Sequence, residues 1–304
     1  MQAPANPPVT VIIATLNRDR PLCVTLEYFL LREKYRPFEV IVIDQSDRHD
    51  QATTEFLAKI ADRINYVRAP YKSLTRARNH GVRLASGQII IFVDDDTEPF
   101  MGFIAGHVAA YVSDRVWMVT GPALSPGQKL LSRDELEKTQ YERVVAGEEL
   151  CPQAGFDYAP CCWALGCNLS ARRSALDRVG GFDESIIGGA TGDDADISHR
   201  IKLAGGIISY SAAAALIHRE WPNGGARSVS SGYVYAYASN TNYFWRKLGA
   251  GWRELLRQNF AAYRKLILNQ RMLDDRSLRK VYLLHRAFVA GAVRGLRQPV
   301  SLKG

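Results

Sequence analysis

Residues 89–96 read IIIFVDDD, so five apolar side chains run directly into Asp94, Asp95 and Asp96. Three adjacent carboxylates repel one another, and a positive partner among them is expected. Carboxylates at a strand tip suit a hard divalent cation such as Mg2+ or Mn2+, which takes oxygen ligands and binds through one or two carboxylates plus substrate phosphates. A second acidic group, GDDADISHRI, follows glycines at the start of a helical stretch and carries Asp193, Asp194 and Asp196. A carboxylate placed there suits a positioned general base. Together the two groups point to transfer from a diphosphate-linked donor, with a metal neutralising the leaving group.

The elements that must hold these groups follow from periodicity. VTVIIATLNR (9–18) and FEVIVIDQSD (38–47) are β-branched apolar runs ending in polar residues, the pattern of strands buried on both faces. Helical stretches follow at 22–30, 51–61 and 74–87, the last closed by Gly87, with a short strand INYVRAP at 64–70. Strands alternating with such helices predict βαβ units and a mostly parallel sheet. Ligands bind outside the carboxyl ends of such strands, and those ends carry Thr15, Asn17 and Arg18, then Asp44, then Asp94 to Asp96. Beyond Pro99 the pattern predicts a strand at 117–124, a charged helix at 132–147, a loop at 148–160 and a strand and short helix within 164–184. An apolar strand over 207–218 then ends at His218. No glycine-rich phosphate cradle of the G-x-G-x-x-G or G-x-x-x-x-G-K-[ST] type is present.

In order and spacing, VTVIIATLNR, VIVIDQSDR, RARNHGVRLASGQIIIFVDDD, GCNLSARRSALDRVGGFDE and GDDADISHRI resemble the inverting family 2 glycosyltransferases of GT-A fold, over roughly residues 8–220. The first segment has Ala14 where that family usually has Pro. The resemblance implies an α/β fold of GT-A type, with a nucleotide-binding half at about 8–100 and an acceptor half at about 101–228. It also implies a metal, Mg2+ or Mn2+, and a nucleotide diphosphate-sugar donor, most often a UDP-sugar, whose single sugar passes to a glycan or lipid-linked acceptor. Thr15, Asn17, Arg18 and Asp44 would line the nucleoside pocket, and Arg78 with Asn79 would support the base or diphosphate region. Asp94 would lie near the ribose, Asp95 near the ribose or donor sugar, and Asp96 on the metal. His218 would complete the metal or diphosphate site. Asp194 would be the base, with Asp193 the alternative because the pair replaces the family's usual Glu-Asp. The QxxRW motif of processive synthases is absent, which implies one sugar per encounter. Trp163 and Trp221 are either an acceptor platform or core, and Asp196 with Arg200 reads as a helix-surface ion pair. A nucleotidyltransferase and a non-catalytic scaffold of the same fold are the rival readings.

The 304 residues carry a net charge of +8, but residues 229–304 hold 14 Lys and Arg against 3 Asp and Glu. This basic extension interleaves aromatic and cationic residues at helical spacing. It suits an anionic membrane surface, packing on the catalytic body or a homodimer, and a nucleic-acid partner less well. No uninterrupted apolar stretch is long enough to span a bilayer, and the N-terminus lacks a signal-peptide pattern, so a cytoplasmic protein, peripheral at the inner membrane face, is expected. Four of the five cysteines, Cys151, Cys161, Cys162 and Cys167, fall close together without the paired spacing of a zinc site.

Overall fold

A computed structural model describes residues 6–128, 163–189, 191–221, 230–268 and 278–301. The helix and loop expected at 132–160, and Cys151, Cys161 and Cys162, lie outside these residues. The centre is a seven-stranded sheet in the order β3-β2-β1-β4-β8-β6-β9. Its strands are β1 (Val9–Thr15), β2 (Phe38–Asp44), β3 (Asn65–Arg68), β4 (Ile89–Asp94), β6 (Val116–Thr120), β8 (Asn168–Arg172) and β9 (Ile207–Tyr210). β8 alone runs against its neighbours. Alternate residues of the central strands serve two cores. Val11, Ile13, Ile89, Ile91 and Val93 pack with Leu22, Leu26 and Phe29 of α1 (Arg20–Leu31) and Leu57 of α2 (Gln51–Lys59). Ile12, Ile90 and Phe92 pack with Ala77 of α3 (Leu74–Leu84), with α5 (Arg173–Val179) through Leu176, and with α6 (Asp193–Leu203) through Ile197 and Ile201. Two buried faces explain why these strands read as unbroken apolar runs.

Register sets the carboxyl edge. Thr15 lies opposite Asp44, and Ala14 opposite Asp94, so the polar strand ends fall into one row. β1 stops at Thr15 because Asn17 turns into the left-handed region at φ 52°, its N–H donating to Ser46 Oγ at 2.7 Å. α3 ends at Leu84, short of the expected Gly87. Gly87 serves close approach instead, since a Cβ there would lie 2.5 Å from the Thr10 nitrogen.

The strand expected over 207–218 is two strands in two sheets. After β9 the chain crosses through small residues, with Ser211 Oγ donating to the Gly106 carbonyl at 2.8 Å. It re-enters as β10 (Leu216–His218) in a three-stranded sheet ordered β5-β10-β7. β5 is Thr97–Pro99 and β7 is Ala123–Leu124, so the expected 117–124 strand is likewise divided. Pairing of His218 with Thr97 places the histidine one residue beyond the acidic triplet. The short helix α4 (Phe103–Ala109) packs Phe103 and Ile104 into the first core.

The C-terminal helices α7 (Ser231–Lys247), α8 (Trp252–Leu266) and α9 (Leu278–Arg297) pack on this body and on one another. Gly291 and Gly295 let α9 cross α7 closely, since a Cβ at either would come within 2.1 Å of a carbonyl oxygen of α7, Tyr235 or Ser239. The buried Lys247 of α7 reaches Asp183 at 2.6 Å and Asp196 at 2.8 Å, and Tyr243 donates to Asp183 at 2.7 Å. Asp196 and Arg200 do pair, at 2.8 Å, but in the interior, with side chains 1% and 2% exposed. The expected surface location is corrected because Lys247 of α7 closes on Asp196 and Arg200 Nη1 donates to the Val179 carbonyl at the end of α5 at 2.8 Å.

Replacing Lys247 with Met leaves two buried carboxylates without their shared cation, so a loss of about 3–5 kcal/mol in urea unfolding is expected. Asp183 sets the sign of the pH dependence. Burial pushes its carboxyl up, and the bonds from Lys247 and Tyr243 outweigh this and hold it below the ordinary aspartate range. Such a group contributes stability above about pH 4 that is lost as pH falls through its folded-state pKa. The gap between wild type and Lys247→Met should therefore narrow below about pH 4, and a gap constant into strong acid would refute the assignment.

Candidate active site

The three tip carboxylates divide between two environments because successive side chains at a strand end face opposite ways. Asp95 turns inward, where its Oδ2 accepts from Thr15 Oγ1 at 2.6 Å. Burial pushes its carboxyl up to about 7, against the pull of Arg18. Asp94 and Asp96 face His218, whose Nε2 stands 3.6 Å from Asp94 Oδ2 and 3.1 Å from Asp96 Oδ1. Arg18 Nη1 donates to Asp96 Oδ2 at 2.9 Å, and the Trp221 N–H reaches the same oxygen at 3.2 Å. Burial pushes Asp96 up, but His218 and Arg18 outweigh it and take the carboxyl down to about 2. For His218 burial acts downward and is overcome by Asp96, Cys167 and Asp94, which raise the imidazole to about 11.

α6 begins directly after Gly192, at φ 92°. Asp193 and Asp194 therefore stand in its first turn, where the helix dipole favours negative charge. Arg78 of α3 joins the two acidic groups. Its buried guanidinium pairs with Asp193, lies 3.4 Å from Asp94 and donates to the Gly166 carbonyl at 2.7 Å. The Gly166 N–H donates to Asp194 Oδ2 at 3.1 Å, so one glycine ties the arginine to the second carboxylate. Burial pushes Asp193 up to about 7 against the pull of Arg78. Asp194 is half-buried and keeps a side open.

A cleft of about 420 Å³ lies against this edge, lined by Thr15, Arg18, Asp94 to Asp96 and His218, and across from them by Gly188, Gly189 and the start of α7. Several expected residues stand elsewhere. Asp44 is fully buried, its oxygens taken by Tyr66, by His49 at 2.9 Å and by the Ser46 N–H at 2.8 Å. Asn17 is exposed beside a neighbouring depression with Asp47 and His49. Asn79 clamps the GGFDE turn, exchanging hydrogen bonds with the Phe182 backbone at 2.8 Å in both directions. Trp163 is half-buried and away from the cleft lining, and Trp221 meets the site through its backbone. Sequence reasoning missed Gln45, Lys72, Ser73, Tyr233 and Ala236 in the lining, and the half-buried Cys167 beside His218. Gln45 sits one residue past a strand tip and was legible by the same rule as Asp44; Tyr233 had no local signal.

Asp94, Asp96 and His218 each offer one ligand atom, all within 4.8 Å of one another. Two carboxylate oxygens and, once His218 gives up the proton its acidic neighbours hold there, an imidazole nitrogen would suit a divalent cation such as Mn2+. Asp94, expected near the ribose, thus joins the possible ligand set.

The seven-stranded sheet, the acidic edge and the second small sheet define a GT-A nucleotide-sugar transferase fold. A mannosyltransferase from Pyrobaculum calidifontis, solved with GDP-Man and Mn2+, superposes with a TM-score of 0.60 at 19% identity, covering 97% of this chain and 88% of that one. GalNAc-T7, solved with UDP, GalNAc and Mn2+, gives 0.55 at 16% identity, covering 86% and 55%. The chain belongs to glycosyl transferase family 2, whose profile matches residues 10–169. It is 26% identical over 227 residues to the pre-mycofactocin glycosyltransferase of Mycobacterium tuberculosis, a match that covers 72% of this chain and 45% of that protein. The chain thus spans about half the length of that relative.

Arg78→Met should cost about 3–5 kcal/mol in chemical unfolding, because it strips the cation from a buried carboxylate. Adding Asp193→Asn should recover part of that loss, with a coupling of about 0.5–3 kcal/mol in the double-mutant cycle. Strict additivity would show that the pair does not hold the two acidic groups together.

Proposed function

We propose that this chain transfers a single sugar from a nucleotide diphosphate-sugar, with UDP-sugars the first donors to test, to a hydroxyl of a glycan or lipid-linked precursor with inversion at the anomeric carbon. The observation that carries this reading is the pair of acidic centres on one edge, Asp94–Asp96 with His218 and Asp193–Asp194, coupled through Arg78 and Gly166. Asp94, Asp96 and His218 would hold a divalent cation, which when bound neutralises charge developing on the departing diphosphate. Thr15, Arg18 and Gln45 line the cleft where the nucleotide would lie. Arg18 holds Asp96 in place and Thr15 fixes Asp95, so the edge is preorganised. Asp194 is the better base of its pair. Asp193 is buried and committed to Arg78, whereas Asp194 is half-exposed at the helix start and is oriented by Gly166. Asp194 would take the proton of the acceptor hydroxyl as its oxygen attacks the anomeric carbon opposite the diphosphate.

Thermal shift with a panel of nucleoside diphosphates should show stabilisation by one nucleotide that requires Mn2+. Asp194→Asn should keep that stabilisation while lowering turnover by about 10²–10⁴-fold, the usual contribution of a general base. Full turnover in this variant would remove Asp194 from the mechanism.

The exposed side of α8 supports a second element of the proposal, residence at an anionic bilayer. Trp252, Leu256 and Phe260 recur every fourth residue and are 67%, 61% and 63% exposed, flanked by Arg253, Arg257 and Arg264. Apolar side chains beside cations complement an acidic lipid surface. Among the described residues no helix is long and apolar enough to cross a membrane. Co-sedimentation with vesicles containing phosphatidylserine, absent with phosphatidylcholine alone and weakened by Trp252→Ser, is the expected result; equal behaviour on both vesicles would overturn it.

A further inference from the structure

The cleft against the acidic edge extends along the sheet to the tip of β2, where Gln45, Lys72, Ser73 and Leu74 line it. Asp44 ends β2 but is closed to any ligand, since it is fully buried and its oxygens are taken by Ser46, Tyr66 and His49. Gln45, the next residue, is 5% exposed. Its backbone N–H donates to the Thr15 carbonyl at 2.9 Å, which ties it to the end of β1. Its side-chain Oε1 accepts from the Ser73 N–H at 2.6 Å. A backbone N–H can meet only an acceptor, so this bond fixes which end of the amide is oxygen. Nε2 lies on the other side of the amide, has no partner among the described residues and is not sealed from the cleft. We infer that Gln45 reads the nucleobase of the donor, its Nε2 donating to the exocyclic oxygen farthest from the ribose, O4 of a pyrimidine or O6 of a purine.

Reach, shape and polarity carry the inference. The strand order β2-β1-β4, with Thr15 opposite Asp44 and Ala14 opposite Asp94, sets the tip of β2 two strand spacings, roughly 9.6 Å, from the carboxylates of β4. A ribose and its first phosphate bridge such a gap. A nucleotide whose diphosphate meets the acidic edge therefore brings the far side of its base to Gln45, in the same cleft. Leu16 and Leu74, both half-buried, line that end and give apolar walls for the faces of a planar ring. The neighbouring polar side chains are already engaged. Thr15 donates to Asp95 at 2.6 Å, Lys72 to Asp47 at 2.7 Å, and the Ser73 hydroxyl caps α3 by accepting from the Arg76 N–H at 3.4 Å. The free end of Gln45 thus offers donation and no acceptance. A base carbonyl satisfies it. The amino group of cytosine or adenine at the same place would set donor against donor and leave buried N–H groups unpaired. Gln45 accordingly selects keto bases over amino bases.

The inference rests on the nucleotide-donor reading above, and its test separates the two. Dissociation constants of the full chain with Mn2+ are measured by calorimetry for two near-isosteric pairs, UDP against CDP and IDP against ADP. Each pair differs only in the exocyclic group and the proton on the ring nitrogen beside it. In at least one pair the keto nucleotide should bind about tenfold more tightly or better, the effect of one buried hydrogen bond made or lost. Gln45→Glu keeps an acceptor for the Ser73 N–H and replaces the free N–H with an acceptor, so the preference in that pair should vanish or invert. The negative charge it adds falls equally on both members of a pair and leaves their ratio untouched. Gln45→Met, which removes the donor without adding charge, should also abolish the preference and serves where the Glu variant fails to fold. Asp44→Asn should leave the ratio unchanged. Equal binding within both pairs, a preference for the amino nucleotides, or a ratio that responds to Asp44→Asn and not to the Gln45 variants would overturn the role of Gln45 while leaving the donor reading intact. Binding of none of the four would refute the donor reading and the assignment together.

Discussion

Repulsion among carboxylates gathered at one edge of a buried sheet is the constraint around which this protein is arranged. At about 4 Å two like charges cost about 1 kcal/mol in water and several times that where solvent is excluded. Asp94, Asp95, Asp96, Asp193 and Asp194 are offset by positive groups brought from distant parts of the chain. Arg18 arrives from the turn after β1, Arg78 from α3 and His218 from the end of β10. The small sheet exists in order to deliver the last of these, in the physical sense that its β5–β10 pairing fixes His218 beside the triplet. An edge so balanced stays poised for one further cation and the diphosphate that would accompany it.

The same logic extends into the C-terminal helices. Lys247 answers the charges of Asp183 and Asp196, and Asp196 lies in the first turn of the helix that also carries the proposed base, Asp194. α7 thereby grips α6 from behind while its N-terminal turns close the cleft from in front. Gly188, at φ 66°, permits this grip, since a Cβ there would lie 2.9 Å from that of Ala236. The basic extension is thus a wall of the site.

Much of this was legible in the sequence, and the limits have physical causes. The βα alternation and the acidic strand tips were readable because apolar runs buried on both faces end abruptly in charge. The arrival of His218 was readable as a strand end, but its route was not, because SAAAALIH continues an apolar run while its small residues permit a crossing between sheets. Asp44 was recognisable as a tip carboxylate, yet its burial depends on Tyr66 and His49 reaching it across the sheet edge, a matter of register. The pairing of Asp196 with Arg200 was legible from spacing and its depth was not. Helical periodicity in 231–266 looks alike whether the apolar side meets protein, a cleft or lipid, so Tyr233 gave no local sign of lining the site.

The central claim is that Asp94, Asp96 and His218 form a cation site completed by a nucleotide diphosphate. Titration of Mn2+ followed by electron paramagnetic resonance, with and without the diphosphate that stabilises the protein, tests it most directly. One Mn2+ should bind per chain, at least tenfold more tightly with nucleotide present, and this enhancement should vanish in Asp96→Asn. Binding of Mn2+ that is indifferent to the nucleotide, or unchanged by Asp96→Asn, would contradict the account.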